Sequence, residues 1–251
     1  MSPVALPLDR LDAVVFDMDG VITDTASVHA AAWKRLFDDF LADRAADSGE
    51  PFVPFDVDAD YRRYIDGKPR YDGVRDFLAS RGITLPEGDP SDPPERETVC
   101  GLGNRKNGFF LEHLRTKGAE PYPSTVDLVR RLHGLGIGVA VISASQNAQE
   151  VLDAAGVGAL FDVRVDGAVA EELGLPGKPD PAVFVEAARR LGADPARTAI
   201  IEDAIAGVEA GRRGAFALVV GVDRAGHAEA LRQAGADVVV SDLGELEPVG
   251  P

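Results

Sequence analysis

The stretch Val14–Thr25, VVFDMDGVITDT, decides how the rest of the chain is read. An apolar run stops at Asp17, a second acid, Asp19, follows two residues later, and Gly20 turns the chain toward a third, Asp24. Strands buried on both faces of a parallel sheet read as continuous apolar runs, so Ala13–Phe16 is expected to be a central strand. Two carboxylates then stand at its C-terminal mouth, where open α/β sheets collect their ligands. Acids in such positions also form Asx turns or cap the next helix, and the motif alone leaves that alternative open. A calcium loop does not fit. Its glycine stands sixth and follows a helix, whereas Gly20 stands fourth and follows a strand.

The totals limit the partners. At 251 residues the chain can bury a sizeable core in one or two domains. A net charge of −16 argues against nucleic acid and anionic membranes, both of which need a basic surface. A phosphate-bearing ligand would require concentrated cations or a metal. The single cysteine, Cys100, leaves no internal disulfide and no multi-thiolate metal site, and fits a reducing cytoplasm. The N-terminal MSPVALPLD lacks a basic n-region and an apolar h-region, so no signal peptide is expected. No apolar run approaches the length of a membrane span.

Working outward, Ala26–Leu41 is helical in pattern, with Val28, Ala32, Leu36 and Phe40 on one stripe and His29, Trp33 and Phe37 beside it. Residues 45–60 read as loop, 61–82 as two short helical stretches broken at 66–70, and the proline-rich 84–94 as an exposed connector. Helical character over 95–117 is interrupted near Gly101-Leu102-Gly103-Asn104, and nothing from 24 to 120 resembles a core strand. After Pro121 and Pro123 the rhythm becomes βα. Strands are expected at Gly138–Ile142, Val163–Val165, Thr198–Ile201, Ala217–Val222 and Asp237–Val240, with helices between them, one opened by Asp180-Pro181 as cap and first turn. The expected fold is α/β: a Rossmann-like, doubly wound parallel sheet core, residues 1–24 and 121–251, interrupted by an inserted helical cap, residues 25–120. Neither glycine cluster makes a nucleotide site. Gly134-Leu135-Gly136-Ile137-Gly138 precedes its strand, and Gly101–Gly108 lies in helical sequence.

Three later polar groups follow apolar stretches in the same way: Ser143-Ala144-Ser145-Gln146-Asn147, Lys178 in Gly177-Lys178-Pro179-Asp180, and Glu202-Asp203. A parallel sheet brings all of them to the rim that carries Asp17 and Asp19. Each has a plainer reading, as a helix cap for Ser143, a solvated lysine for Lys178, and favourable helix-dipole contacts for the two acids. Together they form a chemistry. Asp17, Asp19, Glu202 and Asp203 in one small volume repel unless a cation intervenes, and hard oxygen ligands without His or Cys suit Mg²⁺. An acid cluster, a metal, a lysine and a hydroxyl are the parts of phosphoryl transfer by positioning and charge neutralisation, and a carboxylate can itself attack phosphorus.

DMDGVITDT, ISAS, GKPDP and IIEDAIAGVEAG, in that order, resemble the four motifs of the haloacid dehalogenase-like (HAD) phosphotransferase superfamily, over nearly the whole chain. The resemblance implies that Asp17 is the phosphorylated nucleophile and Asp19 the general acid/base. It implies that Ser143 and Lys178 hold the transferring phosphate, with Lys178 also orienting Asp17. Mg²⁺ would sit on Asp17, the Asp19 backbone carbonyl, Asp203 and Glu202. Asp19 speaks against true dehalogenases, which are not expected to carry it.

Within the superfamily the chain most resembles the β-phosphoglucomutases. The opening through Thr25 and His29, the Ser143–Asn147 turn beside that subfamily's SASKN, and the cap stretches Gly67-Lys68-Pro69-Arg70 and Asn104-Arg105-Lys106-Asn107 carry this likeness. It implies an isomerase of carbohydrate metabolism converting β-glucose 1-phosphate to glucose 6-phosphate through an aspartyl-phosphate and the 1,6-bisphosphate, with water excluded by cap closure. Thr25, His29, Lys68, Arg70, Lys106, Ala144, Ser145, Gln146 and Asn147 are the candidate substrate contacts. Arg70 suits bidentate phosphate binding, and Lys106 suits a second phosphate contact. A surface salt bridge for Arg70, a solvated helix lysine for Lys106, a hydrogen-bonded helix residue at the cap hinge for His29 and cap packing for Trp33 are the plainer alternatives. Gln146 departs from the subfamily by replacing its lysine, a loss that Lys68 or Arg105 would have to offset. A monomeric, cytoplasmic enzyme is expected, with no nucleic-acid or membrane partner. A sugar-phosphate phosphatase is the rival reading, and a phosphoacceptor module that does not turn over is the more distant one.

Overall fold

Alternation in β2 (Ala13–Asp17) sends Val15 to one face of a sheet and Val14 and Phe16 to the other, and every residue of this strand is buried. A strand covered on both sides must lie inside a sheet with helices on each face. The computed structural model, which describes residues 4–49, 51–224 and 226–250, has that arrangement. The described residues form two compact units, Met1–Thr25 with Ala119–Pro251, and Ala26–Gly118.

The first unit opens with β1 (Val4–Pro7), which pairs in parallel with the last strand, β8 (Leu246–Val249). Its main sheet is six-stranded and parallel, in the order β4-β3-β2-β5-β6-β7. The members besides β2 are β3 (Gly138–Ile142), β4 (Val163–Val165), β5 (Thr198–Glu202), β6 (Leu218–Val222) and β7 (Val238–Val240). The sequence order reverses between β2 and β5, which is where a doubly wound sheet opens a crevice at its C-terminal edge. Register makes the two edges level: Asp17 pairs with Ile142 of β3, and Phe16 with Ile201 of β5. Ser143 and Glu202 therefore arrive beside Asp17. Val15, Ala140, Ile142, Ile200 and Val219 form one core face, filled by Phe184 and Ala187 of α7 (Ala182–Leu191), Val208 of α8 (Ile205–Arg213) and Leu231 of α9 (Ala228–Ala234). On the opposite face α4 (Pro123–Gly134) packs on β3. The remaining helices of this unit are α5 (Ala148–Ala154) and α6 (Gly167–Leu173).

The second unit holds α1 (Ala26–Ser48), a π turn at Tyr61–Ile65, α2 (Arg70–Ser80) and α3 (Val99–Lys117). Its core is aromatic. Trp33 stacks on Phe37 at 5.3 Å, and Phe37 packs on Phe77 at 4.1 Å and on Phe55 at 5.3 Å. Among the described residues it contains no β-strand, and no helix of either unit is long and apolar enough to cross a membrane.

Three local expectations are corrected, and two features were not anticipated. α1 runs two turns past Leu41 through residues read as loop, because Ala42, Arg44, Ala45 and Ala46 are strong helix formers that sustain it there with mostly exposed side chains and no apolar stripe. α3 is continuous through Gly101 and Gly103. A Cβ at Gly101 would stand 2.1 Å from the Arg96 carbonyl oxygen and one at Gly103 would stand 2.8 Å from the Tyr71 ring, so these glycines permit close approach rather than breaking the helix. The β1–β8 pair and α6 were not anticipated. Asp180 is displaced by one position, since Pro181 is the N-cap residue of α7 while the Asp180 carboxylate accepts from the Ala182 N–H at 2.9 Å.

Candidate active site

Asp17 ends β2 and Glu202 ends β5, so the strands themselves aim both carboxylates at the switch point. Lys178, from the segment between α6 and α7, lies between them. Its ammonium donates to Asp17 Oδ1 at 2.5 Å and to Glu202 Oε2 at 2.7 Å, and all three side chains are buried. The other Glu202 oxygen accepts from the Ala204 N–H at 3.0 Å. Burial, then the charge of Glu202, pushes the Asp17 carboxyl well above the usual carboxylate range, and Lys178 offsets only part of this. Burial alone would depress Lys178, but Asp17 and Glu202 outweigh it and hold the ammonium protonated. One ammonium therefore serves two buried carboxylates, with Asp19 and Asp203 close by.

Asp203 follows Glu202 and lies directly on the DMDG turn. A Cβ placed on Gly20 would fall 1.8 Å from Asp203 Oδ2, and Gly20 has a φ of +82°, so glycine is required there on both counts. One oxygen each from Asp17, Glu202 and Asp203 lies within 4.8 Å of the others. Opposite ligands of a six-coordinate Mg²⁺ stand about 4.2 Å apart, so a small movement of side chains would close this set around the ion. An oxygen-only cluster with surplus negative charge fits Mg²⁺. Asp17 and Asp203 are the direct candidates, and Glu202 is the weaker one because both its oxygens already accept hydrogen bonds.

Asp19 is held differently. The Thr25 hydroxyl donates to Asp19 Oδ1, Thr23 and Thr25 share a hydrogen bond at 2.8 Å, and Ser143 Oγ donates to Asp19 Oδ2 at 3.4 Å. Thr25, a candidate substrate contact, holds the orientation of Asp19. Ser143 Oγ accepts from the Ser145 N–H at 3.0 Å, and Ser145 Oγ from the Asn147 N–H at 3.1 Å, so the Ser143–Asn147 turn, with Ala144 inside it, is tied by its own hydroxyls. The Gln146 amide donates to Glu171 at 2.7 Å, pairing it with an acid.

In the second unit, Arg70 Nη1 donates to Asn104 Oδ1 at 3.3 Å. Lys106 is buried, donates to His29 Nδ1 at 2.5 Å and lies 5.1 Å from the ring centres of Trp33 and Phe110. His29 itself stacks on Phe110 at 4.0 Å. These are cation–π and ring contacts in an apolar setting, not those of a solvated lysine. Lys68 pairs with Asp76 at 2.6 Å and Arg105 donates to the Pro94 carbonyl at 2.8 Å, so both candidates for replacing the missing charge at Gln146 have local partners. Sequence reasoning missed Thr23, Arg224 and His227. Thr23 is in the quoted motif and its hydroxyl is the only signal it offers. The other two act on backbone carbonyls, which no motif reports.

Glu202 leaves no room at Gly207, where a Cβ would fall 2.0 Å from Glu202 Oε2. Because both Glu202 oxygens are engaged and the side chain is fully buried, it cannot swing aside. Gly207→Ala is expected to cost about 1–3 kcal/mol of stability and to lower activity, as measured by urea unfolding and steady-state assay.

A haloacid dehalogenase-like hydrolase family model matches residues 11–214, and the chain belongs to that family. It is an enzyme of the β-phosphoglucomutase-like type. It is 50% identical over 241 residues to the β-phosphoglucomutase of Mycobacterium bovis, covering 95% of this chain and 92% of that one. A crystal structure of β-phosphoglucomutase from Clostridium difficile superposes with a TM-score of 0.72 at 26% identity, covering 94% of this chain and 93% of that one. The trehalose-phosphate phosphatase of Mycobacterium leprae is 45% identical over 130 residues, which is 50% of this chain and 28% of that protein.

Proposed function

We propose that the protein interconverts β-D-glucose 1-phosphate and D-glucose 6-phosphate through a phosphorylated Asp17 and β-glucose 1,6-bisphosphate. The observation that carries this reading is the match to the M. bovis mutase, which is sustained through both units and so extends to substrate handling as well as chemistry. Lys178 holds one oxygen of Asp17 and leaves the other to attack phosphorus. Asp19, fixed by Thr25 and Ser143, gives a proton to the departing sugar oxygen and takes one from the hydroxyl that next attacks the aspartyl-phosphate. Lys178 and Ser143 stabilise the charge on the transferring group. Mg²⁺, held by Asp17, Asp203 and the Asp19 backbone carbonyl with support from Glu202, would neutralise the phosphoryl oxygens when bound. A mutase must also grip the phosphate that is not being transferred, and Arg70, Lys106 and the Ser145–Asn147 turn are assigned to it. The substrate is a small phosphosugar, and the acidic chain is assigned to the cytoplasm as a monomer.

One observation favours a second reading, a phosphosugar phosphatase. Gln146 is bound to Glu171, so the Ser143–Asn147 turn offers a distal phosphate no fixed cation. Arg70→Ala separates the two. On the mutase reading, isomerisation should fall about 100-fold, near 3 kcal/mol, while hydrolysis of a simple phosphate ester changes by less than about threefold. Equal losses in the two assays would remove Arg70 from the distal site.

A further inference from the structure

Two side chains in the connection between β6 and α9 reach the acidic turns without belonging to any motif. Arg224 Nε donates to the Gly20 carbonyl at 3.0 Å. Its Nη1 donates to the Ser241 carbonyl at 3.2 Å and to Asp242 Oδ2 at 3.3 Å, and the guanidinium carbon lies 3.8 Å from the centre of the Tyr122 ring. Tyr122 is itself fixed, with its N–H on the Ile22 carbonyl at 2.9 Å and its hydroxyl on Asp24 at 3.1 Å. The arginine is thus anchored on three sides while it holds the residue after Asp19. A surface salt bridge with Asp242 alone would not require the Gly20 contact or the ring stacking.

His227 does the same for the second turn. A carbonyl only accepts, so His227 Nε2 carries the proton that it donates to the Asp203 carbonyl at 3.2 Å. The His227 backbone N–H is tied to Asp223 Oδ1 at 2.8 Å. The two gripped carbonyls, of Gly20 and Asp203, flank the point where the Asp203 carboxylate lies on Gly20.

We infer that Arg224 and His227 are positioning residues that together set the contact between the DMDG turn and the Glu202-Asp203 turn, and with it the separation of Asp17 from Asp203. The inference rests on the reading of these acids as the Mg²⁺ site. Neither residue is among the carboxylates that would hold the ion. Each holds a main-chain segment that carries one of them, as outer partners of metal ligands commonly do.

The test uses the full chain and the variants Arg224→Met, Arg224→Lys, His227→Phe and His227→Gln. Calorimetric titration with Mg²⁺ alone, without substrate, is the decisive readout. Arg224→Met and His227→Phe should each weaken Mg²⁺ binding and lower kcat about 10-fold, with KM for the sugar phosphate within about twofold. Lys and Gln, which keep a donor, should recover part of both losses. Mg²⁺ affinity within about twofold of the parent in both donor-less variants, whatever happens to Tm, would overturn the inference. If Arg224→Met does not fold, His227→Phe and its Gln rescue decide by the same criterion. Because the ion is titrated without sugar, a protein that released phosphate instead of isomerising would defeat the mutase reading and leave this test intact.

Discussion

Asp17→Asn should remove turnover by at least about 10⁴-fold and leave no acid-stable, base-labile phosphoenzyme, because the proposed nucleophile is gone and Asp19, two residues on, is engaged through both its oxygens by Thr25 and Ser143. The fold should survive. The substitution keeps an oxygen for Lys178 and removes one of two buried carboxylates that share a single ammonium. The folded-state pKa of Asp17 is raised, so the folded protein holds a proton that the unfolded chain releases, and stability falls as pH rises above the ordinary carboxylate value toward the raised one. The amide abolishes that penalty. In metal-free buffer near neutral pH the variant should melt at or above the parent's temperature, and calorimetry with phosphoenzyme trapping checks both halves. Retained turnover would contradict the nucleophile assignment.

Lys178→Met should have the largest effect on stability. The ammonium is the common partner of Asp17 and Glu202, and Lys178 and Glu202 are 5% and 0% exposed, so deletion leaves two adjacent buried carboxylates without their cation. Breaking a buried ion pair by removing one partner costs about 3–5 kcal/mol, and activity would be lost with it. The loss should depend on pH in a stated direction. Without the cation nothing offsets the burial and the Glu202 charge that raise the Asp17 carboxyl, so its folded pKa lies further above the unfolded one and stability rises as pH falls and the proton is taken up. Urea unfolding of the metal-free variant should show the deficit shrinking from pH 8 to pH 5. A deficit independent of pH would mean that Lys178 acts through packing on Phe184, whose ring centre is 5.4 Å from the ammonium.

The α/β architecture was legible because β2, β3 and β5 are apolar runs that end at polar residues gathered on one rim. Asp17, Ser143 and Glu202 each mark a strand end and a site at once. Where apolar patterning is absent the reading failed: the last two turns of α1 are exposed, and β1 and β8 are short, carry proline and lie at opposite ends of the sequence. Gly101 and Gly103 misled because a glycine required for close approach looks the same in sequence as one that ends a helix. In the site, residue types announced the carboxylates and the lysine, but not what held them. Thr25 turns out to grip Asp19, Gln146 to be paired with Glu171, and Lys106 to lie between His29 and two aromatic rings. The grip of Arg224 and His227 on main-chain oxygens has no sequence signature, since any residue supplies a carbonyl.

Phosphorus NMR bears most directly on the central claim that phosphate moves between Asp17 and two positions of one sugar. The protein is incubated with Mg²⁺, β-glucose 1-phosphate and a trace of β-glucose 1,6-bisphosphate. The proposed function predicts that the 1-phosphate resonance is replaced by that of glucose 6-phosphate, with little inorganic phosphate. Accumulation of inorganic phosphate without the 6-phosphate would contradict it and assign the same site to a phosphatase.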